Sequence, residues 1–174
     1  MKKDLNKKLK KIKLIIFDVD GVLTDGQIVL DHEGNEIKKF DVQDGFGIVL
    51  LRKSGIRTAI ISARSSSAVA ARAEDLKIDK IYQDAHPKIE AYRQLLREFR
   101  LKDDEVCFIG DDLPDLAVIR QAGLGVAVNN AVKEVKGAAD YVTRNSGGRG
   151  AIREVIEMIL KGQGKWNGIL KIFS

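Results

Sequence analysis

Apolar runs of strand length recur along the chain at 13–18 (KLIIFD), 57–62 (RTAIIS), 79–82, 105–110 (EVCFIG), 124–128 and 140–143. Segments with helical patterning separate most of them, at 45–54, 65–77, 87–100, 112–122 and 149–161. Strands alternating with helices predict βαβ units and a parallel sheet covered on both faces. LIIF and AIIS are continuously apolar, as strands buried on both sides of a parallel sheet are. The expected fold class is α/β, a three-layer doubly wound (Rossmann-like), mostly parallel sheet with helices on both faces.

One stretch breaks the alternation. Residues 26–42 (GQIVLDHEGNEIKKFDV) hold two arms of alternating polar and apolar residues around HEGN. That pattern predicts a β-hairpin insertion after the first strand, with Gly34 in its turn. No linker, repeat or low-complexity segment interrupts 14–161. The chain of 174 residues is therefore expected to form a single domain over 1–174, with a basic N-terminal tail at 1–12 and a C-terminal tail at 162–174.

Charge changes this picture little. The formal net charge is +5, from 30 basic and 25 acidic side chains. Seven of those lysines and Asp4 lie in residues 1–13, so the rest of the chain carries 23 basic and 24 acidic groups. The body is neutral and the basicity is terminal. With no arginine or aromatic residue among those lysines, a solvated helix start or frayed end is expected there, and no nucleic-acid partner. No apolar run approaches membrane-spanning length and the N-terminus lacks the apolar core of a secretion signal, so no membrane partner and a cytoplasmic location are expected. The lone Cys107 excludes an internal disulfide, and in its apolar strand it is expected to be a buried, inert thiol. His32 and His86 have no ligand-like partners and receive no role.

In open parallel sheets, ligands bind outside the carboxyl ends of the strands. Here the first strand ends on Asp18 and Asp20, the second on Ser62 with Arg64 close by, and the fourth on Gly110, Asp111 and Asp112, with Asp115 one turn on. The loop after the third leads to Lys88, which opens a helix after Pro87. Carboxylates gathered at one spot repel and protonate unless a cation sits among them. Hard oxygen ligands suit Mg²⁺. The set as a whole fits phosphoryl transfer through an aspartyl-phosphate: one aspartate as nucleophile, a second two residues on as general acid and base, and Ser62 and Lys88 as donors to the phosphoryl oxygens.

FDVDGVLTDG, IISAR, the lysine after YQDAHP and GDDLPD resemble, in order, the four motifs of the haloacid dehalogenase superfamily. The resemblance implies Asp18 as nucleophile, Asp20 as general acid/base and Ser62 and Lys88 as phosphate ligands. It implies a Mg²⁺ site made of Asp18, the Asp20 backbone carbonyl and Asp111; Asp112 and Asp115 are expected either to orient ligands or the metal's waters from behind or to cap the following helix. An acid at position 20 implies phosphate monoester hydrolysis. The intervals between the first three motifs are 42 and 26 residues, too short for a cap domain of roughly 50 residues or more. The chain is therefore expected to be capless, and either to work on large substrates or to close its site with a neighbouring subunit, which the hairpin at 26–42 favours.

DGVLTDG, FDVQDGFGI and NSGGRGAIREV narrow the resemblance to the capless family that dephosphorylates 3-deoxy-D-manno-octulosonate 8-phosphate in lipopolysaccharide sugar synthesis. That likeness implies a homotetramer assembled by the hairpins. It implies substrate contacts from Asp20, Asp41, Val42, Gln43, Asp44, Gly45, Arg64, Arg72 and Lys88, the arginine forks suiting phosphate and carboxylate alike. Two departures stand out: Val49, where many members carry a basic residue, and Ala63, where the second motif usually has glycine. The alternative reading is the same build acting on a nine-carbon sialic or deaminated neuraminic acid 9-phosphate. A phosphorelay receiver is a distant alternative, since a receiver carries its phospho-acceptor on the third strand. Gly147, Gly148 and Gly150 suit a loop pressed against another backbone or a ligand. For the C-terminal segment around Trp166, packing on its own domain or reaching a neighbour's site are both open.

Overall fold

The computed structural model describes the backbone over residues 2–173 and the side chains over 4–173. All six expected strands form: β1 (Leu14–Phe17), β4 (Arg57–Ile61), β5 (Lys80–Tyr82), β6 (Val106–Gly110), β7 (Leu124–Ala127) and β8 (Tyr141–Val142). Between β1 and β4 lie the two strands of the hairpin, β2 (Val29–Leu30) and β3 (Glu36–Ile37). The large sheet runs β5-β4-β1-β6-β7-β8, with every bonded pair parallel. Chain order runs outward on one side of β1 and then, from β6, outward on the other. The topological switch therefore falls between β1 and β6, where a ligand crevice opens in such sheets.

The helices are α1 (Lys2–Lys11), α2 (Val42–Lys53), α3 (Ser67–Asp75), α4 (Lys88–Phe99), α5 (Leu116–Gln121), α6 (Lys133–Ala138), α7 (Ala151–Gly162) and α8 (Trp166–Leu170). One layer groups α1, α2, α7 and α8; another groups α4, α5 and α6. All four residues of β1 are fully buried between them. Cys107 sits in that core with its thiol pushed far above the ordinary value by burial, as an inert thiol should.

The N-terminus departs from the sequence reading. The N-terminus is a docked helix and not a tail. Leu5, Leu9 and Ile12 form a stripe at helical spacing; Leu9 and Ile12 are buried, and α1 packs on α7. Two of its lysines are paired, Lys8 with Asp140 and Lys11 with Asp104, while Lys13 beyond it pairs with Glu105. The C-terminal segment also packs on its own domain. Ile169 is buried, and Phe173 meets Phe46 of α2 edge-to-face at 5.6 Å. The hairpin is shorter than 26–42, with only Val29–Ile37 and Leu30–Glu36 paired.

Residues 41–45 form the N-cap and first turn of α2, and their two acids hold helix starts. Asp41 caps α2, accepting from the amides of Gln43 (2.7 Å) and Asp44 (2.9 Å). Asp44, only 1 % exposed, accepts instead from Arg153 (2.7 Å) and Gly150 (3.2 Å), so it holds the first turn of α7 against α2. Asp44 is thus unavailable to substrate, which corrects its assignment as a contact residue. Burial pushes its carboxyl up to about 6, against the pull of those two amides. A folded-state pKa above the unfolded value contributes stability that is complete below about pH 4 and lost as the pH rises to about 6. Asp44→Ala leaves the partly buried Gly150 and Arg153 amides without their acceptor and is expected to cost about 1–3 kcal/mol. Its melting-temperature gap to the unmodified protein should narrow between about pH 4 and about pH 6. A gap independent of pH in thermal unfolding would contradict this account.

Candidate active site

Parallel pairing sets the strand ends side by side. Phe17 of β1 is in register with Ile60 of β4 and Ile109 of β6, so the chain just beyond the three strands brings Asp18, Ser62 and Asp111 to one crevice. The ladder runs one residue further, through Asp18 N–H to Ile109 C=O (3.0 Å). The chain then coils tightly: Val19 C=O accepts from Val22, Leu23 and Thr24, and Thr24 Oγ1 accepts from the amides of Gly21 and Gly26. Gly21 is required here. It has φ +88°, and a Cβ there would lie 2.1 Å from an oxygen of Asp111.

A cavity of about 280 Å³ opens at these ends, lined by Asp18, Asp20, Ser62, Ala63, Arg64, Lys88, Asp111, Asp112 and Asp115, among others. Lys88, the first residue of α4 and 3 % exposed, donates to Asp18 Oδ1 and to Asp115 Oδ1, each at 2.6 Å. Asp115 Oδ2 accepts from the Asp111 and Asp112 amides at 2.9 and 3.3 Å. Asp112 caps the short 3-10 turn over Leu113–Asp115 through the Leu113 amide. Ser62, 3 % exposed, accepts from the Arg64 amide at 3.2 Å.

The electrostatics call for a cation. Carboxylate oxygens of Asp18, Asp111 and Asp115 lie within 4.8 Å of one another. Burial, and then the neighbouring Asp115 charge, push Asp18 well above the ordinary carboxylate range and Asp111 up to about 6, with Lys88 opposing. Burial pulls the Lys88 ammonium down, but the carboxylates of Asp18 and Asp115 more than reverse that and leave it raised. Three carboxylates against one ammonium leave two negative charges uncompensated. Asp111 Oδ1 is buried without a hydrogen-bond partner. A divalent ion with oxygen ligands answers both the charge and the orphaned oxygen, so the residues present fit Mg²⁺.

The glycine-rich segment before α7 braces this loop. A Cβ at Gly147 would lie 1.8 Å from the carbonyl oxygen of Gly21, so only glycine allows the approach. Gly148 donates to Val22 C=O at 2.9 Å. Asn130 links the two loops, donating to Gly21 C=O (3.0 Å) and accepting from the Gly147 amide (2.7 Å).

The structure thus brings Asp18, Asp20, Ser62, Arg64, Lys88, Asp111, Asp112 and Asp115 to one cavity. It does not bring Arg72 or residues 41–45 there. Arg72 pairs with Asp75 (2.6 Å), and a Cβ on Gly45 would lie 2.2 Å from its guanidinium. Val42 is 79 % exposed on the first turn of α2. Sequence reasoning missed Lys38, Glu36 and Asn130. Lys38 reaches the Asp20 carboxylate and, at 3.2 Å, Glu36, which also takes Arg64 at 2.9 Å.

Fold and site together define a metal-assisted phosphoryl-transfer centre on a doubly wound sheet. A family model described as haloacid dehalogenase-like hydrolase matches residues 74–156. The 3-deoxy-D-manno-octulosonate 8-phosphate phosphatase KdsC of Yersinia pestis is 44 % identical over 165 residues, covering 95 % of this chain and 88 % of that protein. The crystal structure of the phosphatase of that name from Moraxella catarrhalis, in complex with magnesium, phosphate and KDO, is 42 % identical, covers all of both chains and superposes with a TM-score of 0.98. A cobalt-bound Haemophilus influenzae phosphatase is 41 % identical, covers 91 % of this chain and 92 % of its own, and superposes with a TM-score of 0.88. The chain belongs to the haloacid dehalogenase superfamily, in its family of 3-deoxy-D-manno-octulosonate 8-phosphate phosphatases.

Proposed function

We propose that this chain, acting as one domain, is a Mg²⁺-dependent phosphatase that hydrolyses 3-deoxy-D-manno-octulosonate 8-phosphate through an aspartyl-phosphate on Asp18. The observation that carries the reading is the buried Lys88 bridge between Asp18 and Asp115, beside the orphaned oxygen of Asp111. Lys88 holds one oxygen of Asp18 and leaves the other to attack phosphorus. The phosphorus–oxygen bond to the sugar breaks, and Asp20 donates its proton to the departing oxygen. Asp20 then takes a proton from the water that attacks the aspartyl-phosphate, releasing phosphate and restoring Asp18. Ser62 and Lys88 donate to the phosphoryl oxygens, where charge develops. Asp18, Asp111 and the Asp20 backbone carbonyl would hold the magnesium, with Asp112 and Asp115 fixing their orientation. Bound there, Mg²⁺ neutralises the carboxylates and the incoming phosphate.

Arg64 lies at the cavity mouth, 44 % exposed, placed for the sugar acid. The rest of the pocket comes from a neighbour. Ile28 (62 % exposed), Leu30 (60 %) and Ile37 (47 %) leave an apolar hairpin uncovered, which supports assembly of a homotetramer through it. Asp41, Val42, Gln43, Gly45 and Arg72, which lie outside their own chain's cavity, then belong to the shared pocket. Among the described residues no helix is long and apolar enough to cross a membrane. The reading places the reaction in the cytoplasm, where a thiol stays reduced, and cell fractionation checks it.

A panel of sugar-acid phosphates assayed with Mg²⁺ tests the activity. The eight-carbon 8-phosphate should give the highest kcat/KM, EDTA should stop turnover, and added Mg²⁺ should restore it. Preference for a nine-carbon 9-phosphate would assign the chain to that substrate instead, and turnover in EDTA would remove the metal from the scheme. Light scattering on the same preparation should give the mass of four chains; a monomer that retains full activity would rule out a shared pocket.

A further inference from the structure

We propose that Lys38, on the return arm of the hairpin, is a positioning residue that fixes which oxygen of Asp20 carries the transferred proton; this rests on the phosphatase reading above. The Lys38 side chain is 2 % exposed and lies more than a dozen residues along the chain from the acid it meets. A buried ammonium needs carboxylate partners, and it has two: Asp20 Oδ1 and Glu36 Oε1, the latter at 3.2 Å. Glu36 Oε1 also takes Arg64 Nη2 at 2.9 Å. The result is an alternating row of charges, Asp20, Lys38, Glu36 and Arg64, running from the reaction centre to the cavity mouth.

Glu36 lies in β3 and Lys38 follows that strand directly; their side chains meet at 3.2 Å on the site side, while Ile37 between them is exposed. The chemical consequence follows from donor count. An ammonium has three donors and no acceptor, so the oxygen it holds can only accept. With Asp20 Oδ1 occupied in this way, a proton on Asp20 must sit on Oδ2. The same contact limits rotation of the carboxyl group, so Oδ2 stays aimed at the leaving oxygen in the first step and at water in the second. Positioning of this kind is part of what general acid catalysis requires, since misaimed proton transfer forfeits it.

The diagnostic is the leaving group. An alkyl sugar phosphate expels a poor leaving group that needs the proton, whereas 4-nitrophenyl phosphate expels a phenolate that does not. Steady-state kcat/KM, which reports steps through the first phosphoryl transfer, should therefore be measured with both esters at saturating Mg²⁺. Lys38→Met should lower kcat/KM for the sugar phosphate by about 30-fold or more and for the aryl phosphate by less than about threefold. Lys38→Arg, which keeps a donor, should recover most of the loss. Glu36→Gln, which leaves Lys38 in place but loosens it, should shift the ratio of the two esters in the same direction by a few-fold, and it serves if Lys38→Met does not fold. Equal losses on both esters, or an unchanged ratio in Glu36→Gln, would overturn the assignment. If the unmodified protein hydrolyses no alkyl phosphate, the phosphatase reading itself fails, whatever the variants do.

Discussion

Asp18→Asn should turn over sugar phosphate at least about 10⁴-fold more slowly than the unmodified protein, because the group that bonds to phosphorus is gone. The loss should not extend to the fold. Asp18 is a buried carboxylate held well above its ordinary range by burial and by Asp115, so the metal-free protein gains from its neutralisation. Without Mg²⁺ the variant should melt no lower than the unmodified protein, and the stabilisation by Mg²⁺ should shrink. Acid quenching during turnover should trap an aspartyl-phosphate in the unmodified protein and none in the variant. Residual activity above about 1 % of normal in a variant of intact fold would sink the covalent mechanism.

Lys88→Met should damage activity and fold together. Its ammonium is the shared partner of Asp18 and Asp115, which are 6 % and 1 % exposed, and removing it leaves two buried carboxylates facing each other. Breaking a buried pair from one side costs about 3–5 kcal/mol. For a chain of this size that corresponds to a fall in melting temperature of roughly 6–20 °C. Millimolar Mg²⁺ should return part of the loss, because the ion would sit among the same carboxylates. Activity should stay down by about 10²-fold or more even with Mg²⁺, since the phosphoryl oxygens lose a donor. A variant as stable as the unmodified protein in EDTA would show that Lys88 does not hold the cluster together.

Much of this was legible because the strands of the large sheet declare themselves by continuous apolar runs, and their ends carry the chemistry. Asp18, Asp20, Ser62, Lys88 and Asp111 were named from that placement, and the structure gathers them at one cavity. The roles of Asp44, Lys38 and Asn130 share one difficulty: each depends on a partner remote in the chain. Asp44 is expected at substrate and instead holds α7, because its partners Gly150 and Arg153 are about a hundred residues away. Seven lysines drew attention from the Leu5, Leu9 and Ile12 stripe, so a docked helix was read as a tail. Helix α6 went unread because six residues offer less than two turns of periodicity. Lys38 and Asn130 belong to common residue types with no fixed spacing from Asp20 or Gly21, so nothing but the folded chain connects them.

The brace formed by Gly147 and Gly148 has a bearing on how the protein is made. The loop carrying Asp18 and Asp20 leaves the ribosome roughly 130 residues before the segment that clamps it. At ordinary elongation rates that is on the order of ten seconds. Throughout that interval the nascent chain holds its nucleophile on a loop whose backbone at Gly21 and Val22 still lacks its partners. Catalytic competence is therefore a property of the nearly finished chain, and a product cut short before α7 carries the acidic motif without the geometry that makes it reactive.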